Sequence, residues 1–368
     1  MTVERFLRRW RSRVGAPRVD VPLLIALMLL IGIGLAVLHS AAGDQPRLVW
    51  SQAIRMLAGL LALWVISRIP PVQLRLWTPW LFVLSVVLLC LVPLLGTGRS
   101  GRHWLDLGVF YLQPSELLKL TVPMMVAAFL HPQSLPPRWG MLVVCAALIG
   151  APTLLIAAQP DLGTALLVAA SGMFVVFLSG MAWWRIGLLG GLAAALAPLG
   201  WGLLKEYQKQ RLRTFMSPEA DPLGSGWNII QSKIAVGSGG LFGKGWGEGT
   251  QSRLEFLPEH TTDFIFAVLA EEFGLIGVLT LLAIYLFIAG RCFWIAAEAR
   301  DTYARLLSGA LAMTFLVYVL VNGGMVSGLL PVVGVPMPLL SYGGTSAVTL
   351  LAGFGIVMSV HAHRKWMR

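Results

Sequence analysis

The stretch "LPEHTTDFIFAVLAEEFGLIGVLTLLAIYLF", residues 257–287, passes from a polar turn into a long apolar segment. A helix needs roughly 20 apolar residues to cross a hydrocarbon core of about 30 Å, and this segment is long enough. Yet Asp263 stands at its lip, and Glu271 and Glu272 lie inside it. Similar runs recur through the 368 residues, which are 57% hydrophobic and only 12% charged. A soluble domain carries about twice that charge. The pattern is that of an all-α polytopic integral membrane protein, because a membrane β-barrel would show short alternating segments instead.

Working outward, the apolar periodicity predicts ten transmembrane helices: 21–39, 49–68, 75–95, 114–131, 139–158, 162–180, 184–204, 263–290, 303–325 and 343–361. They divide the chain into a basic N-terminal segment (1–20), a single membrane domain (21–363) and a basic tail (364–368). The beginning resembles a signal peptide, but its apolar part, Val21 to Leu38, is long for one and reads as an uncleaved first helix. Arg5, Arg8, Arg9, Arg11, Arg13 and Arg18 precede that helix, so the positive-inside bias puts the N-terminus in the cytoplasm. An even number of spans returns the C-terminus there, and the long polar connection 205–262 then faces outward. The three cysteines, Cys90, Cys145 and Cys292, fit no metal or redox spacing and read as small apolar residues. The chain holds 28 basic against 17 acidic residues. That excess suits the headgroups of a lipid bilayer, the tail "HAHRKWMR" included, and no nucleic acid partner is expected.

The connection 205–262 is itself basic, with Lys205, Lys209, Arg211, Arg213, Lys233, Lys244 and Arg253. Loose attraction to anionic lipid is one reading; a site for an anionic, phosphorylated lipid is the sharper one. Trp227, Ile230 and Ile234 fall at i, i+3 and i+7, which suits an amphipathic helix lying in the membrane interface. The string "GSGGLFGKGWGEGTQ" fails as a P-loop, since Ser238 replaces the first glycine and Gly245 follows Lys244.

Charges inside spans cost about 2.5–3.5 kcal/mol each and are candidate functional groups. Glu116 and Lys119 are three apart on a helix and can pair, either to hold helices together or to wall a polar cavity. Asp161 follows Gln159-Pro160 and is placed to cap the next helix. Glu298 and Asp301 read as a solvated turn without a role. In a continuous helix Asp263 and Glu271 would lie about 12 Å apart, beyond the roughly 5–9.5 Å of glycosidase carboxylate pairs. Asp263 would therefore act alone, in a reaction that needs a base and whose leaving group departs as a stable anion. Transfer from a diphosphate fits, with basic groups receiving the leaving charge.

Three segments carry a family resemblance: 257–274, "GMVSGLLPVVGVPMPLLSYGGTS" (324–346) and "YQKQRLRTFMSPEADPLGSGWNIIQSKIAVGSGGLFGKGWGEGTQS" (207–252). Together they resemble the shape, elongation, division and sporulation (SEDS) family, nearest its RodA branch. The resemblance implies a peptidoglycan glycosyltransferase of the bacterial cytoplasmic (inner) membrane, with its active site facing outward. Its substrates would be lipid II and the growing glycan strand. Its partners would be a class B penicillin-binding protein transpeptidase and other elongation-complex membrane proteins. By the same resemblance Asp263 matches the essential aspartate, Glu116 and Lys119 the helix-4 pair, and Arg211 the YQxxR arginine. Asp161, Arg102 and Lys233 complete the expected substrate-binding set. A divalent cation, magnesium or manganese, bound through Asp263 would share the charge stabilisation. Glu271 and Glu272 are expected to shape the partner side of the eighth helix. Two rivals remain at this point, a lipid II flippase and a non-catalytic scaffold for the transpeptidase.

Overall fold

A computed structural model describes residues 19–43, 45–97, 103–106, 108, 111–159, 161–203, 206–220, 226–253 and 256–363. A helix stands at each of the ten expected places. Before the long connection these are α1 (Val21–Ala42), α2 (Pro46–Ser67), α3 (Pro71–Leu95), α4 (Pro114–Leu130), α5 (Trp139–Ala158), α6 (Leu162–Leu178) and α7 (Trp183–Leu203). Within it lie α8 (Glu206–Met216), α9 (Trp227–Ser238) and α10 (Thr250–Arg253), and after it α11 (Ile265–Glu298), α12 (Thr302–Val326) and α13 (Thr345–His363). Seven of the described helices, α1, α2, α3, α5, α11, α12 and α13, are long and apolar enough to cross a membrane, and α6 is a shorter apolar helix. The chain is a multi-pass membrane protein.

Local chemistry explains the helix starts. Proline occupies the first turn of α1 to α4, where its missing N–H costs nothing. Asp20 caps α1 by accepting from Leu23 N at 3.0 Å, and Asp161 and Asp301 cap α6 and α12 in the same way. Two apolar cores result, one joining α1, α11, α12 and α13, the other α3 to α6 with α12. Close approach of α13 to α2 depends on glycine: a Cβ on Gly355 would stand 2.9 Å from the Leu63 backbone. Side chains such as Ile25, Trp80, Leu154 and Leu286 point outward and apolar, as lipid-facing residues must.

Several expectations need correction. The eighth span is not one continuous helix beginning at Asp263. It begins at Ile265 and breaks at Gly274, whose φ of 62° and ψ of −160° lie outside the helical region. The break is held by the glycine-rich loop. Leu275 N donates to Gly240 O at 2.9 Å, Ile276 N to Leu241 O at 3.2 Å, and Lys244 N to Glu271 O at 3.0 Å. Backbone groups freed by an interrupted helix must find partners when buried, and these do. A side chain at Gly274 would collide with Gly243 N and with Leu241 O.

Helix α9 is not free of the bundle, although its stripe Trp227, Ile230, Ile234 stays outward, with Ile234 exposed and the other two partly so. It packs on α11 and α12 through Ile229, Ser232 and Ala235, which are buried. Nor is Asp301 an idle residue of a solvated turn: it caps α12 and pairs with Arg75 at 3.6 Å and His131 at 3.2 Å. His361, expected among lipid headgroups, lies 3.6 Å from Asp20, which also pairs with Arg291 at 2.8 Å. Two short antiparallel strands, β1 (Leu105–Asp106) and β2 (Tyr111–Leu112), interrupt the otherwise helical fold before α4.

Candidate active site

The site forms at the end of the bundle opposite the Asp20–Arg291 pair. Its centre is the turn 256–264, which leads from the glycine-rich loop into α11. Phe264 N and Thr262 N both donate to Glu259 O, at 3.2 and 3.1 Å, closing the turn so that Asp263 ends it. Two distant segments pin it. Tyr342 N donates to Thr261 O at 2.8 Å, and the Asn322 side-chain amide donates to Asp263 O at 2.8 Å. The Asp263 carboxylate is half-buried, and a Cβ on Gly334 would lie 3.6 Å from its Oδ2.

Burial pushes the Asp263 carboxyl up to about 6; the charge of Glu259 adds to this, while that of Arg211 acts the other way. The charge of Arg211, on the exposed face of α8, thus reaches the acid. The arrangement gives a carboxylate that is a stronger base than a solvated one, within the field of a guanidinium that favours negative charge.

Glu116 and Lys119 do pair, at 2.6 Å, and both are buried at the start of α4. Lys119 Nζ also stands 5.1 Å from the ring centroid of Tyr318. Asp161 joins the same region through Gln113 Nε2, which donates to its Oδ2 at 3.2 Å. The pair lies at one end of a largely apolar cavity that reaches toward Cys292 and Val357, with about 740 Å³ of empty space including its mouth. Segment 333–341 stands between this cluster and Asp263. Val335 packs with Leu167 and Tyr318 on one side, while Gly334 faces Asp263 on the other. The predicted residues thus form two half-sites, Asp263 with Arg211 and Glu116 with Lys119 and Asp161, on the two sides of one irregular strand.

Lys233 is exposed on α9 with its stem against Gly328, so the structure joins it to the end of α12 rather than to the acid. Arg102 lies outside the described residues. Glu271 and Glu272 are both buried. Glu271 is fully buried and accepts from Lys244 Nζ at 2.6 Å, from Thr250 N and Oγ1 at 2.9 Å, and from Gln251 N at 3.2 Å. Glu272 accepts from the Ser40 hydroxyl. Their role is to tie the glycine-rich loop and α1 to the break in α11.

Sequence reasoning missed Gln52, Arg55 and Asn322. Gln52 and Arg55, on α2, hold the loop before α13: Gln52 Nε2 donates to Ser341 O at 3.1 Å, and Arg55 Nη1 donates to Gly343 O at 3.3 Å. Each is a polar side chain within an apolar run, which is a usable signal. Among the described residues no group of three or more His, Cys, Asp or Glu side chains is arranged to hold a metal ion.

Comparison with known proteins agrees with this architecture. The family profile of the FtsW/RodA/SpoVE cell cycle proteins matches residues 21–366. The peptidoglycan glycosyltransferase MrdB of Escherichia coli K12 is 50% identical over 351 residues, which cover 95% of each chain. Stage V sporulation protein E of Bacillus subtilis is 34% identical over 361 residues, 94% of this chain and 98% of that one. Among solved structures, a chain of a peptidoglycan synthase complex that coordinates polymerization and crosslinking aligns with a TM-score of 0.82 at 35% identity. The rod shape determining protein RodA of Thermus thermophilus aligns at 0.72 with 31% identity. Each structural match covers 94% of this chain and 98% of its counterpart.

Proposed function

Because the chain belongs to the FtsW/RodA/SpoVE family of cell cycle proteins, we propose that it polymerises lipid II into β-1,4-linked glycan with Asp263 as the general base. It is a peptidoglycan glycosyltransferase of the kind that serves cell shape. The observation that carries the mechanistic reading is the half-buried Asp263 carboxyl, raised to about 6, with the Arg211 charge acting on it. A base of that strength is matched to proton abstraction near neutral pH.

The donor sugar of lipid II is α-linked to diphosphate and the product is β-linked. A single in-line displacement accounts for the inversion. Asp263 takes the proton of the acceptor's 4-hydroxyl, the new O4–C1 bond forms, and the C1–O bond to diphosphate breaks. Undecaprenyl diphosphate leaves as an anion. Arg211 lies on the Asp263 side to meet that charge, and Lys119, neutralised at rest by Glu116, is available from the other half-site. The apolar cavity beyond Lys119 suits an isoprenoid tail. Asp161 would orient the donor from the α6 terminus, and the positive charges of Arg102 and Lys233 would attract the anionic lipid. A magnesium or manganese ion, if one is used, would be held by the Asp263 carboxylate and would supply further stabilisation of the leaving charge.

The reading includes a topology. The ten helices α1–α7 and α11–α13 all span a bacterial cytoplasmic membrane, as one domain over 21–363. Both termini face the cytoplasm, and 205–262 lies outside with the site. Clustering of the candidate residues at one end of the bundle supports it. The partner would be a class B penicillin-binding protein within an elongation complex, and the likeness to a chain of a peptidoglycan synthase complex supports that. A carrier that flips lipid II would instead need a polar site reachable from both ends.

Purified Asp263→Asn protein, given lipid II with its transpeptidase partner and no other glycosyltransferase, is expected to make no polymer while folding normally. Polymer at the wild-type rate would remove Asp263 from the chemistry and leave the flippase and scaffold readings standing.

A further inference from the structure

Asn322 occupies the last turns of α12 and is completely buried. Its side-chain nitrogen has two hydrogens, and both are used. One goes to Asp263 O at 2.8 Å and the other to Val335 O at 2.7 Å. Both acceptors are main-chain carbonyls of irregular segments, where no helix or sheet ladder fixes the backbone. Two carbonyl partners also settle the orientation of the amide, because the reversed amide would set oxygen against oxygen. Its Oδ1 is buried without a hydrogen-bond partner.

We propose that Asn322 is a positioning residue that staples the turn bearing Asp263 to the segment 333–335, and so sets where the carboxylate stands. The claim rests on the reading of Asp263 as the base. Val335 belongs to the strand that divides the two half-sites, and Gly334, next to it, faces the Asp263 carboxylate. A single amide thus fixes the acid relative to the wall through which the other half-site is reached. The same helix face carries Tyr318, four residues earlier, against Lys119. One stretch of α12 thereby registers both halves. The charged groups that act on Asp263 come from its own turn, as Glu259, and from α8, as Arg211. Asn322 adds no charge of its own, so replacing it changes the field at Asp263 only by letting the acid move.

The test uses full-length protein with its transpeptidase partner, lipid II as substrate, and rates followed from acid to neutral pH. Asn322→Ala is expected to lower kcat about 10–100-fold with KM changed less than about threefold, the scale of losing roughly an ångström of alignment. Its acid limb should move to lower pH, because a released Asp263 relaxes toward water and loses the burial that raises it. Asn322→Ser, which keeps one donor, should recover part of kcat and part of the shift, and it carries the comparison if Asn322→Ala does not fold. Folded Asn322→Ala with wild-type kcat and acid limb overturns the proposal. So does a loss of activity that follows a lowered melting temperature with the acid limb unmoved. Asp263→Asn in the same assay separates the two claims. If it is active, the base assignment fails; if it is dead while the Asn322 variants behave as wild type, only the staple fails.

Discussion

Asp263 is an ordinary aspartate made basic by its surroundings, and the sign of each contribution can be tested alone. Burial and Glu259 raise its pKa and Arg211 lowers it, with a net value of about 6. In the proposed mechanism the reactive form is the carboxylate, so kcat/KM should rise with pH through about 6 and level off above it. Arg211→Gln should move that limb to higher pH, because it removes the cation that favours ionisation. Glu259→Gln should move it to lower pH. A pH–rate profile that is flat through this region in all three proteins would show that Asp263 does not titrate in the rate-limiting step. The Glu116–Lys119 pair follows a different logic. Breaking a buried pair from one side costs about 3–5 kcal/mol, whereas replacing both members by apolar groups is often neutral. Lys119→Met alone should therefore lower the melting temperature more than the double Glu116→Leu, Lys119→Met variant, while both lose polymerase activity. Melting curves beside lipid II assays distinguish stability from function here.

At the scale of elements, the break in α11 matters most to the site. A continuous helix through Gly274 would carry Glu271 and Glu272 around its circumference. The interrupted helix instead turns them to the glycine-rich loop and to Ser40. Gly274→Ala meets two penalties, a positive φ worth about 1–3 kcal/mol for other residues and a collision with the loop backbone. It should melt markedly lower than wild type and lose activity with it. Glu271→Leu strands the amides of Thr250 and Gln251, at about 1–3 kcal/mol for each left unpaired. Limited proteolysis in the connection 239–253 should then become faster than in the wild type. The break escaped sequence reading because Gly274 lies within one long apolar segment, and glycine is common inside membrane spans. Its cause is the loop some thirty residues earlier, whose backbone fills the gap. Helix α9 shows the same dependence on packing: Ile229 and Ile230 are adjacent, and contact with α11 and α12 is what buries Ile229.

Across the whole molecule, the two ends of the bundle carry different chemistry. One end gathers ion pairs between helix termini, Asp20 with Arg291 and Asp301 with Arg75. The other holds the acid, its irregular strand and the glycine-rich loop. The proposed topology puts the first end in the cytoplasm and the second outside. In a Cys90→Ser background, Ser217→Cys should react with a membrane-impermeant maleimide in intact spheroplasts. Glu298→Cys should react only after permeabilisation. The reverse pattern would put the site on the side where its polymer is not built.

The length of the apolar runs, set against hydrocarbon thickness, is a local property, so the sequence alone determined the membrane class and the approximate place of each described long helix, though not the break in α11. Short-range chemistry was equally legible: Asp161 as a cap, and Glu116 with Lys119 as a pair three residues apart. Asp263 stood out by its place at the lip of an apolar run and Arg211 through motif resemblance, and no spacing in the chain brings them together. Tertiary structure alone decided how the two half-sites are divided and which polar groups hold the acid. Asn322 is 59 residues from Asp263, and Gln52 is 289 from Ser341. Partners so far apart leave no periodicity in the chain, and a buried amide is satisfied only once the fold has brought its carbonyls within reach.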